Sequence, residues 1–143
     1  MPYPEDMVAP MRAEAIAAGA VELRTAEQAR EALRQPTGTA LYFINSVCGC
    51  SASSARPALG LSLAGGAAIG ARRPQRVYTA FAGNDIDAVN EIRAAMVGYA
   101  PSSPSMALFK DGKLVAVIER TDVQGNSATA LADRLKALYA QHC

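Results

Sequence analysis

The sequence has no excess of charge of either sign. Lysine and arginine together number 14 and aspartate and glutamate 13, so the formal net charge is +1 at pH 7. Proteins that bind a nucleic-acid backbone or an anionic membrane surface usually present a strong positive field. The balance of charge therefore argues against nucleic acid and membrane as partners.

Long apolar runs and a secretory leader are also missing. The most apolar stretch, 58–71, contains four glycines and is shorter than the roughly 20 residues that a membrane-spanning helix requires. The segment 1–6 carries acidic side chains where a secretory signal carries positive charge. We therefore expect a cytoplasmic protein without a membrane segment.

Cysteine and histidine are scarce, with three cysteines and one histidine. An odd number of cysteines in a cytoplasmic chain argues against a disulfide framework and favours redox chemistry, metal binding or simple burial. A closed metal site needs four ligands, and beyond Cys48 and Cys50 the chain offers only His142 and Cys143. We therefore predict no metal site.

The chain is of ordinary globular composition, with 143 residues of which 50% are hydrophobic and 19% charged. This length suits one domain with its own core. No internal repeat, charge run or low-complexity tract divides the sequence, so we predict a single domain over residues 1–143.

The order of predicted elements indicates an α/β fold. Hydrophobic periodicity, β-favouring runs and capping residues predict the elements. They are a helix at 4–18, a strand at 20–23, a helix from Thr25 to about Arg34, a strand at 39–45, a helix at 48–71, a strand at 76–82, a helix from Asn84 or Asp85 to Gly98, strands at 105–110 and 113–119 joined by Asp111-Gly112, and a helix from Asn126 or Ser127 to Gln141. A βαβ unit followed by a hairpin and a closing helix predicts a mixed β-sheet flanked by helices on both faces, as in a thioredoxin-like fold.

The Cys48-Gly49-Cys50 motif is the strongest chemical signal. It follows the predicted buried strand 39–45 and begins a predicted helix, whose free N–H groups and dipole favour a thiolate. A thiolate is the form that attacks a disulfide. We predict Cys48 and Cys50 as catalytic, with Cys48 attacking and Cys50 resolving the mixed disulfide, while Gly49 lets the short ring close.

The Ser103-Pro104 pair, just before the strand 105–110, is the second predicted site feature. A cis proline there places a free backbone edge beside the cysteines, where an extended substrate can pair. An ordinary trans proline at the start of a strand is the alternative. We assign Gly49, Ser103 and Pro104 to substrate binding.

Other interpretations of the same residues stay open. The cysteine pair is also consistent with a disulfide isomerase or oxidant, a thioredoxin-like binding protein with incidental cysteines, or a metal-binding protein that uses Cys48, Cys50 and Cys143. Cys143 is most simply a frayed terminal thiol, with a second resolving thiol as the alternative. Arg56 either supports the local structure or holds an anionic substrate.

Five segments of the chain carry a resemblance to a known family. They are 7–12 (Met-Val-Ala-Pro-Met-Arg), 45–50 (Asn-Ser-Val-Cys-Gly-Cys), 55–58 (Ala-Arg-Pro-Ala), 102–105 (Ser-Ser-Pro-Ser) and 110–112 (Lys-Asp-Gly). Together they resemble the bacilliredoxin family, and the likeness extends from about residue 4 to residue 139.

The resemblance implies a thioredoxin-like fold, a cis Pro104 and a thiol-disulfide oxidoreductase activity. It implies reduction of mixed disulfides between protein cysteines and the low-molecular-weight thiol bacillithiol. Cys48 takes the bacillithiol group, Cys50 resolves the adduct, and a reductase restores the enzyme. The expected partners are S-bacillithiolated proteins and the thiol itself, which acts as co-substrate, and no cofactor is expected.

Overall fold

The computed structural model describes residues 2–64 and 72–143. The helices are α1 (Glu5–Ala17), α2 (Ala26–Leu33), α3 (Arg56–Leu63), α4 (Ile86–Ala95), α5 (Arg120–Gln124) and α6 (Ala128–His142), and a π-helical segment, Ser51–Ala55, leads into α3. The strands are β1 (Val21–Glu22), β2 (Thr39–Asn45), β3 (Arg76–Phe81), β4 (Ser105–Lys110) and β5 (Lys113–Ile118).

The strands form one mixed sheet in the order β1-β3-β2-β4-β5. The pairs β1 with β3 and β2 with β3 are parallel, whereas β4 is antiparallel to both β2 and β5. Ser105, the first residue of β4, pairs with Ile44 near the carboxyl end of β2. The residues just before β4 and just after β2 therefore lie at the same end of the sheet.

Strand β2 contributes side chains to both hydrophobic cores, and all seven of its residues are buried. Because side chains alternate along a strand, Leu41 and Phe43 face one core while Tyr42 and Ile44 face the other. Helices α1, α3 and α6 cover the first face, and α2 and α4 cover the second. The predicted mixed sheet with helices on both faces is confirmed.

Local sequence signals set several element ends. Thr25 accepts a hydrogen bond from the Gln28 amide, and the Gln28 side chain accepts one from the Thr25 amide, which completes the predicted capping box. Asp111 and Gly112 both have positive φ, 51° and 78°. This is the backbone geometry of the tight hairpin turn that an Asp-Gly pair favours.

A buried ion pair between Arg12 of α1 and Asp85, the N-cap residue of α4, connects the two helices. Arg12 donates from Nη1 to Asp85 Oδ2 at 2.7 Å and from Nη2 to Asp85 Oδ1 at 2.9 Å. The guanidinium carbon also lies 5.4 Å from the centre of the Phe81 ring. Asp85 accepts the Phe81 amide as well, at 2.9 Å, so one carboxylate joins a helix, a strand end and a turn.

The predicted helix at 48–71 needs correction. The helix that begins after the cysteines ends at Leu63, because Ala64 has extended backbone, and the rest of the predicted helix, 65–71, lies outside the described residues.

The short helix α5 is a further difference, because the sequence does not predict it. The Asp122 carboxylate accepts the Glu119 backbone amide at 3.0 Å at the start of this helix. A five-residue helix has too little hydrophobic periodicity to be detected from the sequence. Within residues 2–64 and 72–143, no helix combines the length and apolar character needed to cross a membrane.

Candidate active site

Cys48 lies in a short connection between the end of β2 and the first helical turn. Helical backbone begins at Gly49, and the Cys48 carbonyl accepts the amides of Ser51 at 3.1 Å and Ala52 at 3.3 Å. Cys48 and Cys50 are both half-buried free thiols, while Gly49 is exposed. The predicted placement of the motif at the amino end of a helix is confirmed.

The surroundings of Cys48 lower the pKa of its thiol. Burial alone raises that pKa, but the hydrogen bonds that favour the thiolate outweigh it. These come from the Ser46 hydroxyl, the Ser51 and Cys50 backbone amides, and the Cys50 thiol. A larger fraction of Cys48 is therefore in the reactive thiolate form at neutral pH than in an ordinary cysteine.

Ser46 is a site residue that the sequence analysis missed. Its hydroxyl lies 3.3 Å from Cys48 Sγ as donor, and its oxygen also accepts the Cys48 backbone amide at 3.4 Å. The side chain is buried, with 6% exposed. The only sequence signal was a hydroxyl residue two positions before the cysteine, which is too common to be diagnostic.

Asn45 holds this connection in place. Its Oδ1 accepts the Ser46 amide at 2.9 Å, the Ser51 hydroxyl at 3.0 Å and Arg56 Nη1 at 3.1 Å. Its Nδ2 donates to the Met11 carbonyl at 3.0 Å. Asn45 therefore joins the strand end, the Cys48 connection, the π-helical segment and α1.

Arg56 supports the local structure. Its side chain is 3% exposed and donates to the Ser46 carbonyl at 2.9 Å and to Glu14 Oε2 at 3.1 Å, in addition to Asn45. No part of it lines the pocket beside Cys48. Of the two interpretations considered for Arg56, the structure therefore favours the structural one.

The predicted Ser103 and Pro104 lie at the same end of the sheet as Cys48. The Ser103-Pro104 peptide bond is cis, and Pro104 is buried while Ser103 is half-buried. Ser103, Ser46 and Cys48 line one open pocket of about 320 Å³. Gly49, Cys50 and Pro104 do not line it, and the assigned binding roles of Gly49, Ser103 and Pro104 stay predictions.

Cys143 is not a frayed terminal thiol. It packs against the core beside Tyr139, and burial raises the pKa of its thiol, with Thr39 and Lys110 as neighbours. Thr39 begins β2, so it lies about 20 Å from the strand end that leads to Cys48, at about 3.3 Å per residue. Cys143 therefore belongs neither to the resolving chemistry nor to a ligand set with the motif.

The Ser46 hydroxyl provides a test of thiolate stabilisation. In protein whose Cys50 and Cys143 are replaced by alanine, iodoacetamide alkylation of Cys48 should show a pH midpoint below that of an ordinary thiol. Ser46→Ala removes the donor, so the midpoint should move upward and the rate at pH 7 should fall about two- to fivefold. Ser53→Ala is the matched control, because that hydroxyl bonds only the Gly49 carbonyl. An unchanged midpoint in Ser46→Ala contradicts the role.

The chain is similar to proteins named for disulfide chemistry. A family model described as "Disulphide isomerase" matches residues 3–143. A bacilliredoxin of Cytophaga hutchinsonii is 45% identical over 137 residues, which cover 96% of this chain and 97% of that protein. A bacilliredoxin of Geobacillus kaustophilus is 45% identical over 142 residues, with 99% and 94% covered.

Solved structures agree on the fold. A protein described as having a thioredoxin fold aligns with a TM-score of 0.60 at 18% identity, covering 80% of this chain and 91% of that one. Thioredoxin O2 of Arabidopsis thaliana, in the oxidised state, aligns with a TM-score of 0.53 at 20% identity, covering 87% and 95%. The fold is thioredoxin-like and the chain is a thiol-disulfide oxidoreductase. This protein belongs to the bacilliredoxin family.

Proposed function

We propose that this protein removes bacillithiol from protein cysteines, with Cys48 as the attacking and Cys50 as the resolving thiol. The observation that carries the proposal is the Cys48 thiol, which is hydrogen-bonded, has a lowered pKa and lines an open pocket. The choice of bacillithiol is supported by the name of the relatives, which are called bacilliredoxins.

The first step is attack of the Cys48 thiolate on the bacillithiol sulfur of the mixed disulfide. The new bond joins Cys48 Sγ to that sulfur, and the bond to the protein sulfur breaks. The substrate cysteine leaves as a thiolate and takes a proton from water. The Ser46 hydroxyl and the Cys50 thiol stabilise the Cys48 thiolate before the attack and lie beside Cys48 Sγ when the new disulfide forms.

The second step frees the small thiol. Cys50, once deprotonated, attacks Cys48 Sγ, a Cys48–Cys50 disulfide forms, and bacillithiol leaves as its thiolate. The two electrons that reduced the substrate have then come from the cysteine pair. A dithiol reductase, or two molecules of a small thiol that become a symmetrical disulfide, returns the pair to the free thiols.

Mass spectrometry of trapped adducts tests the assignment of roles. After mixing with a carrier protein that holds one bacillithiol mixed disulfide, Cys50→Ser should retain a single bacillithiol on Cys48, because the resolving thiol is gone. The double variant Cys48→Ser/Cys50→Ser is the matched control and should retain none. If both proteins give the same spectrum, the enzymatic proposal is wrong and a thioredoxin-like binding protein becomes the better interpretation.

A second candidate is a disulfide isomerase or oxidant, favoured by the description of the matching family model. The two functions differ in the direction in which the cysteine pair passes electrons. Equilibration of the pair with glutathione redox buffers measures its reduction potential. A potential well above that of the small-thiol pool supports the oxidant, and one at or below it supports the reductase.

A further inference from the structure

Two arginines from different helices meet at the loop before the cis proline. Arg93, in the last turn of α4, donates from Nη2 to the Ser102 carbonyl at 3.4 Å. Arg120, the first residue of α5, donates from Nη1 to the Ser103 carbonyl at 3.5 Å. Both side chains line the pocket that contains Cys48. Two arginines therefore contact adjacent carbonyls of one loop and share a pocket with the reactive cysteine.

The charge of this pair is not matched by carboxylates of the chain. Among residues 2–64 and 72–143, neither Arg93 nor Arg120 takes part in an ion pair. Arg93 Nε is buried there without a hydrogen-bond partner. Burial lowers the pKa of Arg93, yet a guanidinium stays protonated at physiological pH. The partly buried charge of Arg93 is stabilised when an anion binds, and the exposed Arg120 adds a second positive charge at the same pocket.

Two acidic residues close to the arginines in the sequence are engaged elsewhere. The Asp122 carboxylate accepts the Glu119 backbone amide at 3.0 Å and pairs with Arg134 at 3.0 Å. Asp85, near the start of α4, is paired with Arg12. The two carbonyl contacts of Arg93 and Arg120 are long, so most of their donors are free for a ligand.

We propose that Arg93 and Arg120 form a carboxylate-binding subsite for the small thiol of the mixed disulfide, which is therefore an anionic thiol. This inference rests on the proposed function, since it assigns a binding place to the group that Cys48 removes. A pocket of about 320 Å³ has the size of a small-molecule site. The planar fork of a guanidinium matches a carboxylate with two parallel hydrogen bonds.

The subsite places the small thiol on one side of Cys48. With its carboxylates held by the arginines, its sulfur is presented to Cys48 Sγ from within the pocket, and the protein sulfur points outward as the leaving group. The subsite thereby selects which sulfur of the mixed disulfide is attacked. Attack on the other sulfur would join the enzyme to the substrate protein.

Single-turnover rates on a carrier protein with one modified cysteine test the subsite. The carrier holds either mercaptosuccinate, which has two carboxylates, or 2-mercaptoethanol, which has none, and release of the carrier thiol is followed by mass spectrometry. The measured quantity is the ratio of the two second-order rate constants within each variant. Intrinsic differences between the two thiols, and any contacts with the carrier, then cancel between variants.

The wild-type ratio should fall about three- to tenfold in Arg93→Gln and in Arg120→Gln, and further in the double variant, because charge-assisted contacts are lost. In Arg120→Lys the ratio should lie between the values of wild type and Arg120→Gln, because lysine retains the positive charge. The matched control is Arg34→Gln, which changes an exposed arginine at the C-cap of α2 that does not line the pocket. The ratio in this variant should equal that of wild type. Thermal unfolding of each variant establishes that it is folded.

The outcomes separate the subsite from the proposed function. If wild type releases both carriers and the ratio is the same in wild type, both single variants and the double variant, the subsite is wrong while the reductase activity stands. If wild type releases neither carrier, the subsite is wrong, and if it also leaves a carrier modified with bacillithiol intact, the proposed function is wrong as well. A ratio that falls equally in Arg34→Gln also overturns the subsite, because the effect is then one of overall charge.

Discussion

Cys48→Ser should lower the second-order rate constant for reduction of a protein mixed disulfide on the order of 10³-fold or more. A serine hydroxyl stays protonated at neutral pH and does not attack disulfide sulfur, whereas the Cys48 thiol has a pKa below its ordinary value. The Ser46 hydroxyl and the neighbouring backbone amides remain in the variant, so the loss isolates the nucleophile itself. The measurement is stopped-flow or quenched-flow release of the carrier protein thiol.

Cys143→Ser is the matched control for this experiment. Cys143 is also half-buried but lies at the far end of β2, so its replacement should leave the rate within about twofold of wild type. Equal losses in the two variants would mean that the assay reports general thiol content. Retention of more than a tenth of the rate in Cys48→Ser would remove Cys48 as the attacking group.

Asp85→Ala should lower the free energy of unfolding by about 3–5 kcal/mol, as expected when one partner of a buried ion pair is removed. The Arg12 side chain is 5% exposed and would lose both of its shortest hydrogen bonds. The Phe81 amide would lose its acceptor as well. Glu22 at 3.1 Å still contacts the guanidinium, which keeps the cost within this range. Urea denaturation followed by circular dichroism measures the change.

Asp87→Ala provides the comparison for Asp85→Ala. Asp87 lies in the first turn of the same helix but is exposed, so only a favourable interaction with the helix dipole is lost, at most about 1 kcal/mol. A similar destabilisation in both variants would show that the cost comes from the helix start. The difference between the two is expected to exceed about 2 kcal/mol.

The features that could be predicted from sequence depend on residues close together in the chain. Strand β2 is an uninterrupted β-favouring run, the Thr25 capping box lies within four residues, and the Asp111-Gly112 turn carries its own backbone preference. The cysteine motif belongs to this group, because its place after a strand and before a helix is a local pattern. These signals, with the usual rules for connecting strands, were enough to predict the fold class.

The features that could not be predicted depend on contacts between distant segments. Arg56 is buried because α1 brings Glu14 against it, although 42 residues separate the two. Arg93 and Arg120 contact the same loop only because the hairpin of β4 and β5 returns the chain to the residues before β4. Cys143 was expected to be mobile, since the sequence does not show that the end of α6 packs beside Thr39.

Asn45 links the residues around the reactive Cys48 thiol to the buried strand β2. Strand β2 contributes to both cores and ends on this side chain, which bonds the Ser46 amide, the Ser51 hydroxyl and the Arg56 guanidinium. The nucleophile is thus attached to a fully buried strand through hydrogen bonds that a local opening of the site would have to break. We therefore expect exchange to be fastest with substrates whose modified cysteine is already exposed.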